Sequence, residues 1–218
     1  MSGIDKSVCL AILDRALRNS WYYLQSGRKA PAYANIDSAI LGYRDETMGP
    51  LPQHQIMEDF AEQFAEKIKQ IDRESPFHRL AFIDKAGRGP VGMIALSSHI
   101  ICKSQKEAVF VRPYKNTLRS AIEGRQLGAD EKVLIISDIA TTGETALKAA
   151  SKLWLAGAIV AGALVFFDQE LGAKENLALK DITLHRLYTR QEYRSQPDRE
   201  EKLPDLEIGT LRAFGGVM

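Results

Sequence analysis

Residues 133–145 read Val-Leu-Ile-Ile-Ser-Asp-Ile-Ala-Thr-Thr-Gly-Glu-Thr, and this stretch constrains the fold more than any other. Four apolar, mostly branched residues lead to Ser137 and Asp138. Such a short run suits a strand buried on both faces. A polar turn follows, and then Ala146, Leu147, Ala150, Leu153 and Trp154 recur at helical spacing. A tight turn between such a strand and helix gathers backbone N–H groups, hydroxyls and the positive end of a helix dipole at one point. An anion fits there. A carboxylate at the strand end can accept hydrogen bonds from sugar hydroxyls beside that anion, so the residues suggest a sugar phosphate. Asp138 has a second reading, as a helix cap.

The same alternation recurs along the chain. Ile56, Met57, Phe60, Ala61, Phe64, Ala65 and Ile68 mark an amphipathic helix. Residues 8–17 predict another helix. Strands are expected at 80–83, 108–111, 133–136, 159–167 and 184–188, with a mostly apolar helix over 91–102. Residues 113–130 are polar, lack a period and are expected to be exposed and mobile. Residues 189–203 are highly charged and expected at the periphery. Residues 24–37 read as a turn into a strand, and 44–52 and 85–89 as loops. Strands alternating with helices predict an α/β fold, a parallel twisted sheet flanked by helices, with ligands at the carboxyl ends of the strands.

At 218 residues the chain suits one domain, 1–218, with a small N-terminal hood over 1–53 and a tail over 189–218. A net charge of +1 gives no field that would draw it to nucleic acid or a membrane surface. Residues 153–167 carry no charge, but fifteen residues are too few to span a bilayer, and Gly157 divides them into a helix end and a strand. Cys9 and Cys102 are far apart and are expected as buried thiols. With no charged-then-apolar leader in view, a cytoplasmic setting is expected.

Gly87-Arg-Gly-Pro-Val-Gly92 matches a dinucleotide-binding pattern formally. It starts too far past the preceding strand, and the acidic residue about twenty positions on, Glu107, precedes the next strand instead of ending it. A pyrophosphate-holding turn with Arg88 supplying charge suits it better. Arg112, Lys115, Arg119 and Arg125 read either as a solvated basic loop or as a lid that brings cations onto a polyphosphate. Histidines 54, 78, 99 and 185 show no metal-ligand spacing. Tyr22, Tyr23 and Tyr33 are core candidates, or Tyr33 stacks on a planar base.

From about Leu10 to Ala173 the chain resembles the type I phosphoribosyltransferases, and among them the orotate branch. Residues 133–145 resemble the family's phosphoribosyl pyrophosphate signature. Leu24-Gln-Ser-Gly-Arg-Lys-Ala-Pro-Ala-Tyr-Ala-Asn35 resembles the orotate branch's N-terminal segment. Ala86-Gly-Arg-Gly-Pro90 resembles its pyrophosphate loop, and Phe110-Val-Arg112 the opening of its flexible catalytic loop. Phe167-Asp-Gln-Glu-Leu-Gly-Ala173 resembles the segment that helps hold the base.

The resemblance implies a magnesium-dependent transfer of phosphoribose from phosphoribosyl pyrophosphate to a planar nitrogen base. It implies that Asp138 and Ser137 face the ribose, and that Thr141, Thr142, Gly143, Glu144 and Thr145 surround the 5′-phosphate. Arg88, Gly89 and Arg112 would meet the pyrophosphate. Lys115 would stand in for a catalytic lysine, and Gln25, Tyr33 and Gln169 would line the base. Mg2+ would be held by substrate and water, with no direct protein ligand. The family's loop reaches a neighbouring subunit, so a homodimer is expected.

The departures from the family pattern are specific. Ser137 replaces one of two acidic residues. The loop Pro113-Tyr-Lys-Asn-Thr-Leu118 is shorter and lacks the orotate branch's His. Gln25 replaces a Lys, and Gln169 replaces an Arg that contacts the orotate carboxylate. Glu144 adds a negative charge beside the turn. A binding protein that senses the sugar phosphate or a nucleotide on the same fold, with weak or no turnover, is the alternative.

Overall fold

The computed structural model describes residues 10, 12–14, 16–18, 22–23, 29–30, 33–34, 36, 53–84, 91–117, 121–197, 199 and 203. In chain order they form β1 (Leu17–Arg18), β2 (Tyr22–Tyr23), β3 (Lys29–Ala30) and β4 (Tyr33–Ala34), then α1 (Gln53–Glu74), β5 (Arg79–Ile83) and α2 (Val91–Ser104). Next come β6 (Glu107–Val111), β7 (Ile122–Glu123), β8 (Lys132–Ala140), α3 (Glu144–Leu155) and β9 (Ile159–Asp168). The short helix α4 (Ala173–Ala178), β10 (Leu184–Thr189) and α5 (Arg190–Arg194) follow. Residues 10, 12–14 and 16 are helical, and Leu17 already belongs to β1. β1 pairs antiparallel with β4, and β2 with β3.

The main sheet runs β10-β9-β8-β5-β6-β7. All its pairings are parallel except β6 with β7. The expected parallel sheet is present.

Alternate residues of each central strand feed opposite faces. Leu80, Phe82, Leu134 and Ile136 join one core with the α1 residues Phe60, Phe64 and Ile68. Ala81, Ile83, Val133 and Ile135 join another with Ala146, Ala150, Leu153 and Leu177. Burial on both faces is why these strands read as continuous apolar runs. α1 presents its apolar stripe inward. On its rim, the Lys103 ammonium of α2 lies 2.9 Å from a carboxylate oxygen of each of Glu58 and Glu62.

α3 ends at Leu155, Gly157 turns at a φ of 86°, and β9 begins two residues later. The helix–Gly–strand reading of 153–167 therefore holds, and no described helix is long and apolar enough to cross a membrane.

Three expectations change. Residues 113–130 are anchored where described: Pro113, Ala121 and Leu127 are buried, and Ile122 and Glu123 pair with β6. An edge strand of two residues is too short to leave a period. Residues 189–203 are not wholly peripheral, because Tyr193 and Leu203 are fully buried in the core that holds Ile12 and Leu13. Cys102 is exposed. The readings of 24–28, 44–52, 85–90, Cys9 and Arg119 lie outside the described residues.

Candidate active site

The chain leaves β5 towards β6 on one side, while β8 lies on β5's other side. Strand order reverses there, and the crevice at the carboxyl ends of β5 and β8 is the ligand position such sheets favour. The last registered β5–β8 pair is Phe82 with Ile136, whereas β8 continues beside β9 as far as Ala140. Ser137 is therefore level with Ile83, the last residue of β5, and Asp138 stands just past that strand's end.

Both are buried, at 5% and 6% exposure. Asp138 Oδ1 accepts from the Ser137 hydroxyl at 3.0 Å and from the Ile139 N–H at 2.8 Å. Ser137, which removes a carboxylate from the signature, thus acts here as a donor that fixes its neighbour. Asp138 is not the helix cap. That place belongs to Gly143, with a φ of 78° and no capping side chain.

Residues 141–143 form the turn. The Gly143 carbonyl accepts from Leu147 at 2.9 Å, opening α3, and the Thr142 carbonyl accepts from Asn176 Nδ2 at 2.8 Å. An ideal Cβ on Gly143 would sit 3.3 Å from the Ala173 backbone and from Leu177 Cγ. Glycine is needed both for the left-handed conformation and for this approach. A pocket lies here, its lining including Thr141, Gly143, Thr145, Val165, Leu177 and Leu184.

Glu144 does not leave a bare negative charge at the turn. Its Oε1 lies 2.6 Å from the Lys148 ammonium one helical turn on, which raises the Lys148 pKa. Lys148 lies 4.8 Å from the centre of the Tyr114 ring, and the Tyr114 hydroxyl is 3.2 Å from Thr145 Oγ1. Neither residue has a role in the resemblance. The Glu144–Lys148 spacing was a legible signal for the pair; nothing in the sequence announces Tyr114's reach.

Arg112 follows β6 at the same end of the sheet. Its Nε lies 2.7 Å from Asp84 Oδ2 and its Nη1 2.5 Å from Glu123 Oε1, and the Asp84 hydrogen bond raises its pKa. Lys115 is exposed, its N–H donating to the Arg112 carbonyl at 3.2 Å. Arg125 lies 3.8 Å from Glu107, the first residue of β6, so it sits at the opposite end of that strand. The lid reading therefore loses Arg125.

Gln169 follows β9, its N–H donating to the Ala140 carbonyl at 2.9 Å. Its side chain is fully buried, and neither amide atom has a hydrogen-bond partner among the described residues. The flanking residues are fixed: Asp168 accepts from the Glu170 N–H at 2.9 Å and from Arg186 Nη1 at 3.1 Å. Gln25, Arg88 and Gly89 lie outside the described residues, as does the side chain of Tyr33. Among the described residues no group of three His, Cys, Asp or Glu side chains could hold a metal ion.

No protein-family model matches the chain. An orotate phosphoribosyltransferase of Methanocaldococcus jannaschii is 30% identical over 181 residues, covering 82% of this chain and 90% of that relative. The chain belongs to the orotate phosphoribosyltransferase family. The namesake of Natronomonas pharaonis is 37% identical over 116 residues, 50% of this chain and 66% of that protein. Among solved structures, the Aeropyrum pernix orotate phosphoribosyltransferase covers 86% of this chain and 96% of its own, at 23% identity and a TM-score of 0.61. That likeness establishes the type I phosphoribosyltransferase fold around the crevice. This family member is a phosphoribosyltransferase enzyme, and its 141–143 turn has the expected strand–turn–helix setting.

Proposed function

We propose that this enzyme transfers phosphoribose from phosphoribosyl pyrophosphate to a ring nitrogen of a planar base, with orotate the first acceptor to test. The observation that carries the reading is the placement of Asp138 at the strand-order reversal, followed directly by the uncapped turn into α3. The curated relatives are named orotate phosphoribosyltransferases, and a Mycobacterium tuberculosis structure similar in fold, with a TM-score of 0.58, is described as a complex with this sugar pyrophosphate.

In this reading Asp138, held by Ser137 and the Ile139 N–H, accepts from the ribose hydroxyls. The 141–145 turn takes the 5′-phosphate on backbone N–H groups and threonine hydroxyls. The bond from C1 to the pyrophosphate oxygen breaks as the bond from C1 to the base nitrogen forms. The protein contributes position and stabilises charge on the leaving group. Arg88, Gly89, Arg112 and Lys115 are assigned to the pyrophosphate side, and Gln25, Tyr33 and Gln169 to the base. Arg112 reaches pyrophosphate only by loosening its ties to Asp84 and Glu123.

The single carboxylate of Asp138 suits Mg2+ held through water and substrate phosphates better than a protein cage. When bound, the metal supplies positive charge to the departing pyrophosphate. A homodimer, a cytoplasmic setting and a hood over 1–53 complete the proposal.

The test is pyrophosphate release with magnesium and the sugar pyrophosphate against a panel of bases that includes orotate. Release with one base supports the reading and names the acceptor. Binding without release for any base replaces it with the sensing alternative.

A further inference from the structure

Tyr114 lies in the loop at 113–118, and no role has been given to it. It lies two residues beyond Arg112 and is 41% exposed, so it is not a core residue. Two contacts hold it nevertheless. Its hydroxyl is 3.2 Å from Oγ1 of Thr145, and its ring lies 4.8 Å from the Lys148 ammonium. Both partners are on the first two turns of α3, and Lys148 is fixed in turn by Glu144.

A hydroxyl offers one proton and two lone pairs. Two hydroxyls joined by a single hydrogen bond therefore leave one O–H unspent. If Tyr114 donates, the Thr145 proton is available; if Thr145 donates, the Tyr114 proton is. Neither hydroxyl has a second partner among the described residues. The pair thus always presents one donor beside the uncapped N-terminus of α3, where the helix dipole and Lys148 both favour negative charge. A group that only accepts hydrogen bonds and carries negative charge complements this arrangement. A phosphate monoester is such a group. A base edge, which both donates and accepts, is not.

We propose that Tyr114 is a fourth hydroxyl of the phosphate cradle, joining those of Thr141, Thr142 and Thr145, and that it latches the segment after β6 onto α3 of its own chain when a phosphate monoester binds. The proposal rests on the reading of residues 141–145 as the 5′-phosphate turn. Lys148 is a positioning residue: it steadies the Tyr114 ring from the helix side, and Glu144 holds it there. The residue beside the turn that seemed to repel phosphate is thereby the anchor of a cation that favours it. The hydrogen bond lies within one chain, so this part of the segment serves its own turn and needs no second subunit.

The test uses ribose 5-phosphate, which carries the monoester without the pyrophosphate, titrated calorimetrically into the full chain. The variants are Tyr114→Phe, Thr145→Ala and the double variant, and ligand-free melting is recorded for each. The wild type binds, and Tyr114→Phe weakens binding about tenfold, the loss expected for one hydrogen bond to a charged group. Its ligand-free melting temperature stays within about 2 °C of wild type, since an exposed hydroxyl carries little stability. Because Thr145→Ala leaves the Tyr114 hydroxyl free to donate, the double variant binds more weakly than Thr145→Ala alone.

Equal affinity of wild type and Tyr114→Phe overturns the role of Tyr114 and leaves the phosphate turn standing. A lower melting temperature with unchanged affinity also overturns it, making the contact merely structural. Failure of the wild type to bind ribose 5-phosphate removes the phosphate turn itself, and the latch with it.

Discussion

The Ser137 hydroxyl donates to Asp138 Oδ1 at 3.0 Å, with both side chains inside the fold. The serine therefore orients the carboxylate beside it. Asp138→Asn keeps the size of the side chain and can keep its carbonyl oxygen where Oδ1 now accepts, but it loses the charge. Pyrophosphate release should fall at least about tenfold in kcat/KM, since a charge-assisted hydrogen bond contributes about 1.5–3 kcal/mol. Melting should show a folded protein. A variant that turns over like wild type would remove Asp138 from the site.

Gln169 gives a prediction of opposite signs. Its amide is fully buried with neither polar atom paired among the described residues. An unsatisfied buried group costs about 1–3 kcal/mol, so Gln169→Leu should leave the ligand-free protein as stable or more stable in urea. The same change should lower transfer to the preferred base. A loss of stability comparable to that of an ordinary core mutation would show that the amide is satisfied within the fold.

Gly143→Ala should destabilise the protein by about 1–3 kcal/mol. The left-handed conformation alone costs a non-glycine residue about 1–2 kcal/mol, and the new methyl meets the Ala173 backbone at 3.3 Å. Affinity for ribose 5-phosphate should drop as well, because α3 begins at this residue. Urea midpoints and calorimetry check the two effects separately.

Tyr193 should make stability fall at high pH. Burial pushes its pKa well above the ordinary tyrosine value, and its hydrogen bond to Asp14 at 2.7 Å adds to this. The unfolded chain releases this proton near pH 10 while the folded chain keeps it. Above pH 10 the folded state therefore binds more protons, and stability declines by up to about 1.4 kcal/mol per pH unit. Below pH 10 the group contributes no slope. Urea midpoints from pH 9 to 11 should fall more steeply for wild type than for Tyr193→Phe. Parallel slopes would contradict the assignment.

The β8–turn–α3 unit was legible because each of its parts has its own signature. Branched apolar residues mark a strand buried on both faces, Gly143 marks a left-handed turn, and the 146–153 spacing marks a helix. The separation of 153–167 into helix and strand was legible from Gly157 for the same reason. What escaped depends on contacts between distant segments. Two residues of β7 carry no period. Tyr193 and Leu203 sit in a charged stretch, and only their burial in the cluster that also holds Ile12 and Leu13 shows them to be core. Glu144 looked like a misplaced charge until Lys148 was found against it, and Arg112 looked available until Asp84 and Glu123 were found around it. Sequence names the groups at a site, but which of them neutralise one another is decided by the fold.

The contact between Asp14 and Arg199 joins residues 185 positions apart, at 2.7 Å from Nη2 to Oδ2. On the ribosome it cannot close until the last part of the domain has left the exit tunnel. The segment carrying Ile12 and Leu13 is made well before Tyr193, which shares its core. Until Tyr193 emerges, those apolar residues wait for their burial. A stalled or truncated nascent chain would present them to chaperones and proteases even with the central sheet already assembled.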